Sequence, residues 1–143
     1  MNKEIYAYMA GMLDGEGYIG LSRFKGGVNN RYKKKWTFKA RVVVANCNLD
    51  LLKWIQKHFG GYITKKTKGV NDYQGYNLTI GYHEKWLPKV IPFMVGKKKK
   101  AELLIEAVRL LNERKKKTAR AGNLNIDRLE KINELLRKKE WLI

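Results

Sequence analysis

Ala7, Gly11 and Gly15 recur at steps of four in a segment whose apolar residues Ile5, Met9, Met12 and Leu13 also fall at helical spacing, with no proline to interrupt them. The segment Lys3 to Gly15 is therefore predicted as a helix with three small residues on one face. Glycine in a helix interior costs about 1 kcal/mol relative to alanine, so Gly11 calls for a compensating contact. Close backbone approach by another helix supplies one, by analogy with the small-residue seams of membrane helices.

The pattern then changes period. Tyr18 to Phe24 alternates and is predicted as a strand, closed by a turn through Gly26, Gly27, Asn29 and Asn30. A longer strand is expected from about Lys35 to Asn46, with Trp36, Phe38, Ala40, Val42 and Val44 on a core face and Lys35, Thr37, Lys39 and Arg41 on a cationic one. Either Asn48 or Asp50 caps a short helix carrying Leu51, Leu52, Ile55 and Phe59, which Gly60 and Gly61 end. A second hairpin follows: Tyr62 to Lys68, a turn from Gly69 to Asp72, then Tyr73 to Tyr82 with Tyr76, Leu78, Ile80 and Tyr82 inward. The rest reads as helical. Glu84 to Phe93 is broken by Pro88 and Pro92, Lys97 to about Arg114 carries the stripe Ala101, Leu104, Ile105, Val108 and Leu111, and a last helix from about Ile126 to Trp141 buries Leu129, Ile132 and Leu136. A basic, exposed linker from Lys115 to Gly122 joins the last two.

Length and charge narrow the class. The 143 residues suit one domain, 1–143, with a core of about 1–114 and a C-terminal helical extension of about 123–143. Against 31 Lys and Arg stand 13 Asp and Glu, a net charge of +18, yet 44% of residues are hydrophobic. That excludes a disordered cationic tail, which needs low hydrophobicity. It implies a polyanionic partner, nucleic acid before a membrane surface. The lone Cys47 excludes an intramolecular disulfide framework. Without an apolar run long enough for a span or a signal-peptide pattern, the protein is expected to be soluble and intracellular.

The end of the first helix, Met9-Ala-Gly-Met-Leu-Asp-Gly-Glu-Gly17, resembles the signature of the LAGLIDADG homing endonucleases. Ala10, Gly11, Asp14 and Gly17 coincide with it, Met9, Met12 and Leu13 are apolar equivalents, and Gly15 and Glu16 stand where the name motif has Ala and Asp. The order helix, hairpin, helix, hairpin, helices is that of the same family up to about Arg114, with the last helix outside the shared core. The resemblance implies an α+β fold whose antiparallel sheet forms a saddle for DNA. It further implies that Glu16 is a ligand for Mg²⁺ or another divalent cation, assisted by the Gly15 carbonyl. A carboxylate at a helix C-terminus is disfavoured by the helix dipole, and a bound cation reverses that sign. The resemblance also implies that two copies of the helix pack through Ala7, Gly11 and Gly15, with Asp14 holding the helix ends by hydrogen bonds. One motif per chain then means a homodimer.

Further positions follow from the same likeness. Lys97, with Lys99 in reserve, stands where the family has an active-site lysine, although a run such as Lys97 to Lys100 is ordinarily a solvated face. Asn46 stands where the family places a polar residue, often Gln, near the attacking water. For a second basic residue in the following helix the chain offers only Asp50 by spacing.

The outward strand residues form the expected binding surface. These are Lys35, Thr37, Lys39 and Arg41, then Thr64, Lys66 and Lys68, then Asn77 and Thr79, with Ser22, Arg23 and Lys25 as further contacts. A two-stranded ribbon fits the DNA major groove, where Arg and Lys reach guanine and Asn reaches adenine. The leading expectation is a homodimeric, metal-dependent endonuclease that cuts both strands of a long, near-palindromic DNA site. The alternatives are a non-cleaving binder on the same fold, either a maturase acting on intron RNA or a DNA-binding regulator, and a basic ribosomal or structural RNA-binding protein.

Overall fold

The computed structural model describes residues 2–25, 36–67, 73–116 and 119–138. The first helix, α1 (Lys3–Glu16), is capped by the Asn2 side chain, whose Oδ1 accepts from the Ile5 amide at 3.1 Å. It buries Met9, Ala10 and Leu13 completely. Ala7, Gly11 and Gly15 lie on its exposed side, and among the described residues a β-carbon at Gly11 or Gly15 would meet no atom within 4 Å. The chain's own fold therefore gives neither glycine its reason. Gly17 is different: a β-carbon there would lie 2.7 Å from the Leu13 Cα, so the corner from helix to strand admits only glycine.

Four antiparallel strands follow, β1 (Gly17–Lys25), β2 (Trp36–Asn46), β3 (Tyr62–Lys65) and β4 (Tyr76–Ile80), in the sheet order β1-β2-β4-β3. Helix α2 (Leu49–Phe59) joins the two hairpins. Asn48, not Asp50, caps it, its Oδ1 accepting from Leu51 N at 3.1 Å, and Gly60 ends it at φ 79°. Gly61, at φ 100°, sits so close to the Thr79 carbonyl that a side chain would collide with it. Pairing Ile19 with Val42, Val42 with Ile80, and Ile63 with Leu78 sends one parity of every strand toward the helices. Ile19, Leu21, Phe38, Val42, Val44, Leu78 and Ile80 are buried there in one cluster with α1 and α2.

The remaining helices are α3 (His83–Val90), a 3₁₀ turn Ile91–Phe93, α4 (Lys98–Lys116) and α5 (Ala119–Arg137). Ala101, Leu104 and Ile105 of α4 and Leu129, Ile132 and Leu136 of α5 enter the same core, as their spacing predicts. Several expected boundaries move. Pro88 does not break α3, because Pro88 and Glu84 are both exposed and the carbonyl that loses its partner can bond water. Tyr82 does not point inward: β4 ends at Ile80, and Tyr82 takes the left-handed conformation at φ 50° with 81% exposure. Strand β3 stops at Lys65, and the turn from Gly69 lies outside the described residues. Helix α5 starts at Ala119 and not near Ile126, so most of the expected linker is helical. Far from being peripheral, α5 closes the core, and Arg128 reaches back to Glu106 of α4 with one bond of 2.8 Å. Trp141 lies outside the described residues.

His83 opens α3 almost fully buried, and its Nε2 has no hydrogen-bond partner among the described residues. Burial pushes the imidazole below its ordinary value, opposed by a hydrogen bond to the Ile80 backbone. The unfolded chain then takes up the proton more readily than the folded one. This contribution to stability is present above the ordinary value and is lost as pH falls below it. A His83→Phe variant should accordingly lose less stability than the parent between about pH 7 and about pH 5, read as the shift in urea midpoint.

Candidate active site and nucleic-acid interface

Glu16 is the last residue of α1 and its side chain is exposed. The end of β2 brings Asn46 against it: Asn46 Nδ2 donates to Glu16 Oε2 at 2.7 Å. Asn46 Oδ1 in turn accepts from Asn48 N at 2.8 Å, which fixes the amide's orientation. Residues thirty positions apart are thus joined by one hydrogen bond.

On the other side of the same helix end, Asp14 and Lys97 form a reciprocal clamp. The Asp14 carboxylate accepts from Val95 N at 2.8 Å and from Lys97 N at 2.9 Å. Lys97 Nζ donates to the Leu13 carbonyl at 3.1 Å and to the Gly17 carbonyl at 2.5 Å. Lys97 does not itself lie in α4 but immediately precedes it, its carbonyl accepting from Ala101 N at 3.0 Å. Partial burial lowers the ammonium from its ordinary value, Lys100 adds to the effect, and Asp14 opposes it. The helix dipole's demand for a cation is thus met in part by Lys97. Lys99 is exposed on the first turn of α4. Asp50 is exposed in the first turn of α2 and is not basic.

Among the described residues no three His, Cys, Asp or Glu side chains gather into a metal cage. A hard cation does not require one. Magnesium is commonly held by one or two carboxylates together with carbonyl, water and substrate phosphate oxygens. Glu16, beside the last-turn carbonyls that have no intrahelical partner, including that of Gly15, is a donor set of that kind.

The strand face turned away from the helices carries most of the expected contacts. Lys39 and Arg41 are exposed on β2, Ser22 faces Lys39 from β1, and Thr64 pairs with Asn77, beside Thr79. Lys66 continues β3, its amide donating to the Gly75 carbonyl at 2.9 Å. Arg23 is a correction. It shares the parity of Ile19 and Leu21, on the helix side, and pairs with Glu130 of α5 at 3.5 Å. Strand parity alone was enough to place it there. Lys25 pairs with Trp36 and Thr37 with Phe24 in the backbone register, but their side chains lie outside what is described, as do Lys35 and Lys68 altogether. Sequence reasoning missed Tyr18 and Tyr62, both more than half exposed on the outward face. Their alternation with the apolar Ile19 and Ile63 was the available signal.

This combination of an α+β fold, an open small-residue helix and a carboxylate at its end defines a class, and comparison with known proteins agrees. The family model described as LAGLIDADG endonuclease matches residues 9–102, more than half of the chain. The chain belongs to that family. Among solved structures it resembles the homing endonuclease I-CvuI in complex with the I-CreI target (17% identity, 97% of this chain, 88% of that one, TM-score 0.73). It also resembles the archaeal intron-encoded homing endonuclease I-Vdi141I complexed with DNA (19%, 92%, 80%, 0.71). It covers 93% of its own length but 44% of I-GzeII, a LAGLIDADG homing endonuclease in complex with its DNA target (17%, 0.68). A search among curated proteins finds no match.

Lys97→Met should remove the donor to the Gly17 carbonyl and lower stability by about 1–2 kcal/mol, measured by urea unfolding. Lys99→Met, at an exposed position, should change it by less than about 0.5 kcal/mol.

Proposed function

We propose that this protein is a homodimeric, divalent-metal-dependent endonuclease that hydrolyses one phosphodiester on each strand of a long, near-palindromic DNA site. The observation that carries this reading is Glu16, an exposed carboxylate oriented by Asn46 at the end of a helix whose small-residue face is unfilled. Packing two α1 helices along Ala7, Gly11 and Gly15 supplies the close neighbour that the chain's own fold does not. It also brings two Glu16 carboxylates together, one for each strand. The match to under half of I-GzeII supports the same arithmetic, because that chain has room for two such units.

The chain's residues divide the work. Glu16 and the Gly15 carbonyl hold the cation, and Asn46 keeps the Glu16 carboxylate in one orientation. Asp14 and Lys97 lock the corner at which Glu16 sits. Lys39 and Arg41 neutralise phosphates or reach base edges, and Thr64, Asn77 and Thr79 add hydrogen bonds. When bound, a divalent cation supplies Lewis-acid stabilisation of the charge that develops on the phosphate oxygens. The relatives solved with DNA, one of them in the presence of Mg, support this choice of partner and metal.

Incubation of a randomised duplex library with protein and Mg²⁺, followed by sequencing of the ends, should yield paired cuts at one motif. Glu16→Gln should abolish those cuts and retain binding. Binding by the parent protein with no cuts would instead identify a non-cleaving binder on this fold. Gly11→Leu should leave the folded chain intact, since nothing among the described residues lies within 4 Å of a β-carbon there, yet shift it from dimer to monomer in sedimentation.

A further inference from the structure

Four residues on the outward face of the sheet stand in one row, one from each strand. Tyr18 of β1 is opposite Val43 of β2, Val43 is opposite Thr79 of β4, and Thr79 is opposite Tyr62 of β3. Tyr18 and Tyr62, at the two ends, are 54% and 57% exposed, whereas Val43 between them is only 8% exposed. The Tyr18 ring lies along its strand over Gly20, where a β-carbon would come 2.5 Å from the phenol oxygen. Gly20 is thus the seat of that ring.

Apart from Thr79, whose hydroxyl adds a hydrogen bond, neither the core cluster nor the proposed chemistry uses this row. The rows beside it are mainly polar: Gly20 with Arg41 and Ser22 with Lys39 on one side, and Ala45, Asn77 and Thr64 on the other. Two tyrosine rings, a valine and the methyl-bearing Thr79 therefore make a more apolar stripe across an otherwise hydrogen-bonding surface, and such a stripe marks a contact. Four strands about 4.8 Å apart make it roughly 14 Å long, close to the ~12 Å width of the DNA major groove. The apolar feature displayed in that groove is the C5-methyl of thymine.

We propose that the row Tyr18, Val43, Thr79 and Tyr62 is a specificity-determining surface that reads thymine methyl groups. The inference rests on the endonuclease reading and deepens it by naming the chemistry of the bases recognised. Tyr18 is two residues from Glu16, a chain distance of at most about 7 Å. The methyl groups read by Tyr18 are accordingly within the few base pairs nearest the cut, and Tyr62, at the other end of the row, reads about 14 Å from that point.

The test replaces thymine by deoxyuridine, one position at a time, in the target that the library selection returns. Removing one contacted methyl should lower cleavage or binding about four-fold, at the one or two positions under the row, beginning beside the cut, and not elsewhere. In Tyr18→Ala and Tyr62→Ala variants the ratio between thymine and uracil targets should fall toward one. That ratio is internal to each variant, so a loss of overall activity does not imitate it. Uracil substitution without effect at every position, an equal effect in parent and variants, or a target with no thymine near the cut would overturn the proposal. If the protein cuts no DNA, the endonuclease reading fails separately, and the same comparison is read from binding to duplexes enriched from the library.

Discussion

The clamp between Asp14 and Lys97 is the interaction on which the rest of this molecule depends. It ties the end of α1 to the segment before α4, more than eighty residues later in the chain. Both directions of hydrogen bonding are used, carboxylate to backbone amides and ammonium to backbone carbonyls. A helix end carries carbonyls without partners, and an ammonium there satisfies both their hydrogen bonding and the dipole. With the corner held, Gly17 can turn directly into the sheet, and Glu16 is left exposed at the junction.

The sheet separates two physical tasks by parity. One set of side chains builds a core shared with the helices, and the other set is free to carry charge and hydrogen-bonding groups. On β2 alternation sets Lys39 and Arg41 on the face opposite the buried Phe38 and Val42, so charge and core occupy the same strand without conflict. Helix α5 belongs to this division, since Leu129, Ile132 and Leu136 complete the core while Arg128 bonds to Glu106 and Glu130 pairs with Arg23.

Much was legible in the sequence where periodicity and local chemistry agree. The helix α1, the β2 faces around Phe38, Val42 and Val44, the stripe of α4 and the buried residues of α5 all follow from spacing. So does the motif that places the chain in its family. Boundaries that depend on context were not legible. Tyr82 continued the apolar alternation of β4, but the backbone turns left-handed after Gly81, where the indole of Trp86 donates to the Gly81 carbonyl. Pro88 looked like a break because the sequence does not show which carbonyl faces water. Arg23 was grouped with the expected DNA contacts because charge was weighed above parity.

The sequence by itself determined the element types, the core stripe of each element, the single motif and the sign of the surface, because these depend on residues a few positions apart. Only the tertiary structure decided that Asn46 meets Glu16, that Lys97 and not Lys99 reaches the helix end, and that Tyr18, Val43, Thr79 and Tyr62 form one row. Those contacts join distant parts of the chain through strand register and helix packing. A shift of one residue in register would move every one of these strand side chains to the opposite face of the sheet.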